Sequence, residues 1–346
     1  MKNTIYPYKF VVESKERVWG GSTLANEYGK PAAGDKIGET WEISGFEDES
    51  SIIANGPLAE NSLFDVIETY MDEIVGEDNY KHYGNEFPLL MKMLDIEDRL
   101  SIQVHPDDET AFDRHNSYGK SEAWYVLDAK PGAKVYMGFN RDITPAEYLQ
   151  RAVDGTLEEV LNVYEPKKGD FFFIEAGIVH AAGGGVVIAE VQQLSDVTYR
   201  IYDWGREFNP ATARQMHVEL ALDCINYKKY DPEKYFISGS AHHHGPLVSS
   251  KYFTVTPFRT KDTLHIYTEQ YNSFIIYFCA EGEAQIKMNT PEESEIYSLK
   301  KGEWILIPAA APDFYISPVG GEMNLLEFYI QPQEETDSYI DDISKS

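Results

Sequence analysis

"KGDFFFIEAGIVHAA", residues 168–182, returns without a gap as "KGEWILIPAAAPDFY", residues 301–315. Both stretches open Lys-Gly-acid, run through four apolar residues and enter a turn of small residues. Two copies of one β-unit imply two related β-domains. One column separates them chemically: His180 of the first copy is Asp313 in the second. Any chemistry that needs an imidazole there belongs to the first copy.

Outward from the repeat, strand-like segments dominate. "GETWEIS" (38–44), "EAWYVLD" (122–128), "AKVYMGF" (133–139), "VVIAEVQQ" (186–193) and "VTYRIYDW" (197–204) are short, aromatic or β-branched, and separated by Gly, Pro or Asp. Such spacing predicts an antiparallel barrel or sandwich. Helical patterns interrupt it at 62–75, with Ser62 as N-cap, and at 144–164, with Thr144 and Pro145 as N-cap and first helical residue. A third covers 209–227. The polar "SGSAHHHGP" (238–246) reads as a linker, its three consecutive histidines unable to face one ion together. The fold class expected is therefore mainly β, with short helical insertions. The first domain spans 1–238 and the second, without metal ligands, 239–346.

The chain has 346 residues and 42% apolar content, enough for two cores. Its formal net charge of −28 argues against nucleic-acid and anionic-membrane partners, which are bound through basic patches. It also repels a phosphorylated metabolite unless cations are concentrated at the site, which draws attention to Lys92, Lys120, Arg200 and Arg206. No apolar run approaches the roughly 20 residues that span a bilayer. The N-terminus lacks an apolar signal segment, and two cysteines cannot form a disulfide framework. The expected compartment is the reducing cytoplasm.

Within "SIQVHPDD" (101–108), Ile102 and Val104 are the apolar half of a strand, while Ser101, Gln103 and His105 alternate onto the other face. A polar face would account for that pattern by itself. Glu122 begins the next long strand, with Lys120 two residues earlier on its face, and His180 follows the repeated strand. Two imidazoles, a carboxylate and an amide oxygen form a nitrogen and oxygen set suited to zinc, iron or manganese.

The turn from Gly169 to His180, Gly-x5-Glu-x-Gly-x2-His, resembles the second cupin motif, with Glu175 at the usual proline. Gln103-x-His105 followed by Glu122 resembles the first cupin motif as type I mannose-6-phosphate isomerases carry it. "GETWEIS", "LLMKML", "LSIQVHPDD", "GKSEAWYVL" and "SDVTYRIYDWGR" extend the likeness over roughly residues 5 to 330, in the compact bacterial form of that family. The resemblance implies two cupin domains of the double-stranded β-helix, or jelly-roll, type. It implies one zinc per chain on Gln103, His105, Glu122 and His180, and Arg200 as the active-site arginine. Lys120 falls at a proton-transfer lysine, and Lys92, Ser101 and Arg206 fall where the substrate phosphate is contacted. Gly119 stands where some relatives carry a histidine.

The reaction so implied interconverts mannose 6-phosphate and fructose 6-phosphate through an enediolate. Arg200 would hold the developing negative charge. Either Lys120 or Glu190, which shares a strand face with Gln192, would be the base. The expected partner is a small phosphosugar, and the chain is expected to be a monomer or weak homodimer. Two rivals use parts of the same pattern. Two histidines and a carboxylate also form the triad of iron oxygenases, but Gln103 and the cations are then superfluous. A metal-dependent sugar sensor would carry a signalling module, whereas the extra length here is a second β-unit.

Overall fold

Large apolar and aromatic side chains at two-residue spacing make extended segments, and these pair into four antiparallel sheets. The fold is that of a computed structural model, which describes residues 4–240, 243–289 and 294–331. A seven-stranded sheet runs in the order Glu13–Gly21, Ile37–Ile43, Leu89–Ile96, Val186–Gln193, Glu122–Ala129, Phe171–Ile174, Phe236–Ile237. Facing it is a five-stranded sheet of Tyr199–Tyr202, Ile102–Val104, His180–Gly183, Lys134–Phe139 and Leu161–Tyr164. The strands from Val248 onward build a second pair, of five and four strands. The mainly β, cupin-type expectation agrees with this architecture.

Strand partners change between Ile237 and Val248, and on that basis we propose the domain boundary at residues 238 and 239. Of the linker stretch, Ala241 and His242 lie outside the described residues. The two halves nevertheless share one core. Phe87 packs on Phe274 with ring centroids 4.6 Å apart, and Phe173 on Phe253 at 6.1 Å. Tyr8, from the N-terminal segment, exchanges backbone hydrogen bonds with Leu306 of the second half. The buried Lys30 ammonium donates to Glu42 Oε2 and to the Gly302 carbonyl, both at 2.7 Å.

The central strands of the seven-stranded sheet are therefore buried on both faces. One face meets the second half, where Tyr125 accepts from Asn324 Nδ2 at 3.1 Å. The other looks toward the five-stranded sheet. Cross-strand register sets Trp41, Lys92, Glu190, Trp124 and Phe172 in one row on that face. Two residues along, Gln192 and Glu122 stand opposite each other. Pleat geometry turns both rows to the same side, so polar groups are concentrated on the inner wall of the first barrel.

Three helical expectations are corrected. The helix expected over 62–75 stops at Tyr70. Ser62 caps it as expected, accepting from the Asp65 amide at 3.0 Å, but Met71 takes φ +52° before a separate short helix, Asp72–Val75. That break frees the Glu73 and Ile74 carbonyls, which accept from the Ala310 and Ala309 amides of the second half. The helix over 144–164 ends at Asp154, stopped by Gly155 at φ +67°. Its remainder forms the short 3-10 helix Leu157–Val160 and the edge strand Leu161–Tyr164. The stretch 209–227 forms turns, because its backbone is tied to the sheet edge: His217 N–H donates to the Arg200 carbonyl at 2.8 Å.

Candidate active site

Gln103 and His180 are direct cross-strand partners in the five-stranded sheet, and Arg200 flanks Gln103 on its other side. His105 lies just beyond its strand, before the helix Asp108–His115 that Asp107 caps. Its carbonyl accepts from Gly177 N–H at 2.9 Å, which ties it to the turn that leads into His180. Glu122 reaches across from the opposite sheet. His105 Nε2 stands 3.4 Å from Glu122 Oε2, and His180 Nε2 stands 3.2 Å from Glu122 Oε1.

Both imidazoles are oriented by their far nitrogens. His105 Nδ1 lies 3.0 Å from the Val197 carbonyl and His180 Nδ1 lies 2.8 Å from the Ile178 carbonyl. A carbonyl only accepts, so each Nδ1 carries the proton and each Nε2 presents a lone pair inward. Gln103 Nε2 is 3.2 Å from His180 Nε2, while Gln103 Oε1 accepts from Ser101 Oγ at 3.4 Å. His105, Glu122 and His180 keep their ligand atoms within 4.8 Å of one another, all buried.

His105 Nε2 and both Glu122 oxygens have no hydrogen-bond partner among the described residues. Lys120 Nζ approaches Glu122 Oε2 at 3.1 Å without hydrogen-bond alignment. Leaving three buried polar atoms unsatisfied is costly, and a cation between them removes that cost. The protonation states agree. Burial, reinforced by the Lys120 charge, pulls the His105 imidazole down to about 3, so it is neutral as a ligand must be. Burial works to raise the Glu122 carboxyl, but Lys120 and His105 hold it well below its ordinary value. The residues present fit a divalent ion with oxygen and nitrogen donors.

Gln103 and Lys120, beside the cluster, line a cleft of about 650 Å³. Lys15, Arg17, Lys92, Lys120, Arg200 and Arg214 line it, against the carboxylates Glu39, Glu49, Glu190 and Asp196. Six cations against four anions leave this wall positive in a chain of net charge −28. Glu190 accepts from Trp124 Nε1 at 2.7 Å and stands 3.6 Å from Lys92 Nζ. Burial and then Glu122 push the Glu190 carboxyl up, against the pull of Lys92 and Lys120. Burial lowers the Lys120 ammonium, but Glu122, Glu190 and Glu39 together carry it above the usual lysine value. Burial and Arg214 draw the Arg200 guanidinium down to about 10, still charged at neutral pH.

Residues 8–137 match the family model "Phosphomannose isomerase type I, catalytic domain", and residues 244–329 match "Mannose-6-phosphate isomerase, cupin domain". The mannose-6-phosphate isomerase of Streptococcus mutans is 32% identical over 298 residues, 85% of this chain and 89% of that protein. Mannose-6-phosphate isomerase ManA of Bacillus subtilis is 31% identical over 320 residues, 90% of this chain and 96% of that protein. The chain belongs to the type I phosphomannose isomerase family. Among solved structures, the Bacillus subtilis mannose 6-phosphate isomerase superposes with a TM-score of 0.79 at 28% identity, over 93% of this chain and 99% of that one. The apo enzyme from Salmonella typhimurium, at 19% identity and a TM-score of 0.70 over 94% of this chain and 99% of that one, shares the fold.

Within this phosphomannose isomerase scaffold the expected residues separate by position. Gln103, His105, Glu122 and His180 come together, and Lys120, Glu190, Lys92 and Arg200 border the cleft above them. Ser101 and Arg206 do not line the cleft. Ser101 is buried behind Gln103. Arg206 is engaged by Asp203, Asp98 and the Arg99 carbonyl. Gly119 has a steric reason: a Cβ there would meet the Asp107 and Asp108 backbone at 2.5 Å. Sequence reasoning missed Lys15 and Arg17, whose alternation with Trp19 on one strand was the available signal. It also missed Arg214 and Asp203, for which no local pattern exists.

The second half preserves part of this wall without the ligands. Tyr277 stands opposite Glu327 as Trp124 stands opposite Glu190, and Tyr277 OH donates to Glu327 Oε2 at 2.6 Å. Ile275, opposite Ile307, occupies the place of Glu122, opposite Ile174. Asp313 is exposed and accepts from the Thr268 amide at 3.0 Å. Asp313→Ala is therefore expected to leave the metal-to-protein ratio unchanged by elemental analysis. A metal equivalent lost from this variant would mean that the second half binds an ion.

Glu327 itself makes a pH prediction. Burial pushes its carboxyl up to about 7, against the donors Tyr277 and Tyr271. A raised carboxyl favours the folded state while protonated, and that contribution is lost as pH rises from about 4.5 through about 7. Glu327→Gln should raise the free energy of unfolding at pH 8 relative to the parent by an amount on the order of 1–3 kcal/mol, and much less at pH 5. Equal effects at both values would show that Glu327 is ionised throughout.

Proposed function

We propose that the cleft interconverts mannose 6-phosphate and fructose 6-phosphate through an enediolate, with one zinc ion per chain held by Gln103, His105, Glu122 and His180. The buried, unsatisfied donor set at the floor of a cation-lined cleft carries this reading. Such an ion supplies Lewis-acid polarisation of the sugar carbonyl and needs no redox change.

The chain's own groups move the protons. Glu190, its carboxyl raised by burial, takes the proton from C2 of the open-chain aldose. The bonding pair becomes the C1–C2 double bond, and negative charge passes to O1. Arg200, beside Gln103 in register, and the ammonium of Lys120 neutralise that charge. Return of the proton to C1, with transfer of the hydroxyl proton from O2 to O1, completes the ketose. Lys120, whose ammonium stands 3.1 Å from Glu122 Oε2, takes the cationic role in this reading and Glu190 that of the carbon base. Lys92, gripped by Gln192 Oε1 at 2.7 Å, positions Glu190 and borders the sugar.

Free Cys224 and Cys279 suit a reducing cytoplasm, and no helix among the described residues is long and apolar enough to cross a membrane. We expect a monomer or weak homodimer. The test of the reaction class is incubation with mannose 6-phosphate under argon. Fructose 6-phosphate should form at the same rate as in air. Consumption of mannose 6-phosphate that requires oxygen, without fructose 6-phosphate appearing, would support the iron-oxygenase alternative instead.

A further inference from the structure

We infer that Arg214 grips the phosphate of the substrate and that the buried Asp203 is the positioning residue that aims it. This rests on the phosphosugar reading above. Arg200 pairs with Gln103, and the strand then runs toward Asp203 antiparallel to the direction of His105. Asp203 therefore lies beyond Arg200, away from the metal ligands, where the non-reacting end of a sugar bound at the floor would extend.

Asp203 is fully buried, and two arginines converge on it. Arg214 Nη2 donates to Oδ1 at 2.6 Å and Nε donates to Oδ2 at 3.1 Å, a two-pronged grip that fixes the guanidinium plane. Arg206 Nη2 donates to the same Oδ1 at 2.7 Å. Their circumstances then differ. Arg206 is spent on Asp98 Oδ2 at 3.0 Å and the Arg99 carbonyl at 2.5 Å, and it does not reach the cleft. Arg214 lines the cleft, and its Nη1 has no partner among the described residues.

Arg200, the next cation along the wall, uses Nη1 on the Gln215 carbonyl at 2.8 Å, while its Nε is buried without a partner. Gln215 follows Arg214 directly, so one short segment orients both guanidinium groups. Two arginines and one compensating carboxylate leave net positive charge facing the cleft. A dianion needs that in a strongly acidic chain, and planar guanidinium groups match its oxygens. Asp203 does not reach the substrate; without it, Arg214 would lose its fixed plane.

The probe is mannitol 6-phosphate, which lacks a carbonyl and cannot isomerise, compared with mannitol, both titrated calorimetrically into the metal-loaded, full-length protein. The parent should bind the phosphorylated alcohol far more tightly. Arg214→Ala should weaken that binding about ten- to hundredfold and leave mannitol binding unchanged, with Arg214→Lys recovering part of the loss. Asp203→Asn should weaken it in the same direction by less, while turnover of mannose 6-phosphate at saturation falls little. Arg214→Ala does not strip Asp203 of its last partner, because Arg206 remains, so this variant carries the test if Asp203→Asn folds poorly. Parent-like affinity in Arg214→Ala, with a parent preference for phosphate intact, would overturn the inference alone. A parent with no preference for the phosphorylated alcohol would instead contradict the phosphosugar reading.

Discussion

His105→Ala and His180→Ala are each expected to abolish metal binding and isomerase activity while the far-ultraviolet circular dichroism stays that of the parent. Each imidazole has its Nδ1 proton fixed on a backbone carbonyl, so its Nε2 is committed to the buried cluster. Removing an outer partner of a ligand already costs about ten- to hundredfold in affinity, and removing the ligand itself costs more. Loss of Lewis-acid stabilisation worth several kcal/mol lowers turnover by at least about a thousandfold. The fold survives because the two sheets are held by large buried side chains such as Trp124 and Phe172 around the site. Full metal occupancy in either variant, measured by elemental analysis of the purified protein, would remove that histidine from the ligand set.

Glu190→Gln should lower turnover about 10²–10⁴-fold, the range for loss of a general base, without changing metal content. The amide keeps the shape and can still accept from Trp124 Nε1, so the row of side chains on the inner wall persists. What it loses is the capacity to take a proton from carbon. Lys120→Met should reduce turnover as well, through loss of the charge that faces the enediolate. The two variants are separated by exchange of the substrate's C2 hydrogen with deuterated solvent. Glu190→Gln should suppress exchange along with product formation. If exchange is lost in Lys120→Met and retained in Glu190→Gln, the roles are reversed.

The repeat beginning at Lys168 and Lys301 revealed two β-units because apolar runs and small-residue turns are local patterns. The candidate ligands were legible for the same reason: alternation put Gln103 and His105 on one strand face, and the turn motif marked His180. What escaped depends on contacts between distant segments. Helical periodicity around Ala221 and Ile225 reflects burial of a few side chains, but the backbone there bonds to the strand of Arg200 and folds into turns. Met71 breaks its helix to offer carbonyls to Ala309 and Ala310, nearly 240 positions away in the 346-residue chain. Arg206 and Arg214 look equivalent as isolated letters. Only the fold shows that Asp98 and the Arg99 carbonyl occupy the first and leave the second facing the cleft. The continuous apolar character of "LLMKML" and "VVIAEVQQ" comes from a sheet covered on both faces, with Lys92, Glu190 and Gln192 as its polar interruptions.

The most direct measurement is a coupled assay of mannose 6-phosphate isomerisation on protein stripped by chelator and then titrated with zinc. Activity should vanish on stripping and return in proportion to zinc bound, reaching its maximum at about one ion per chain. Undiminished activity in protein shown to be metal-free would contradict the account.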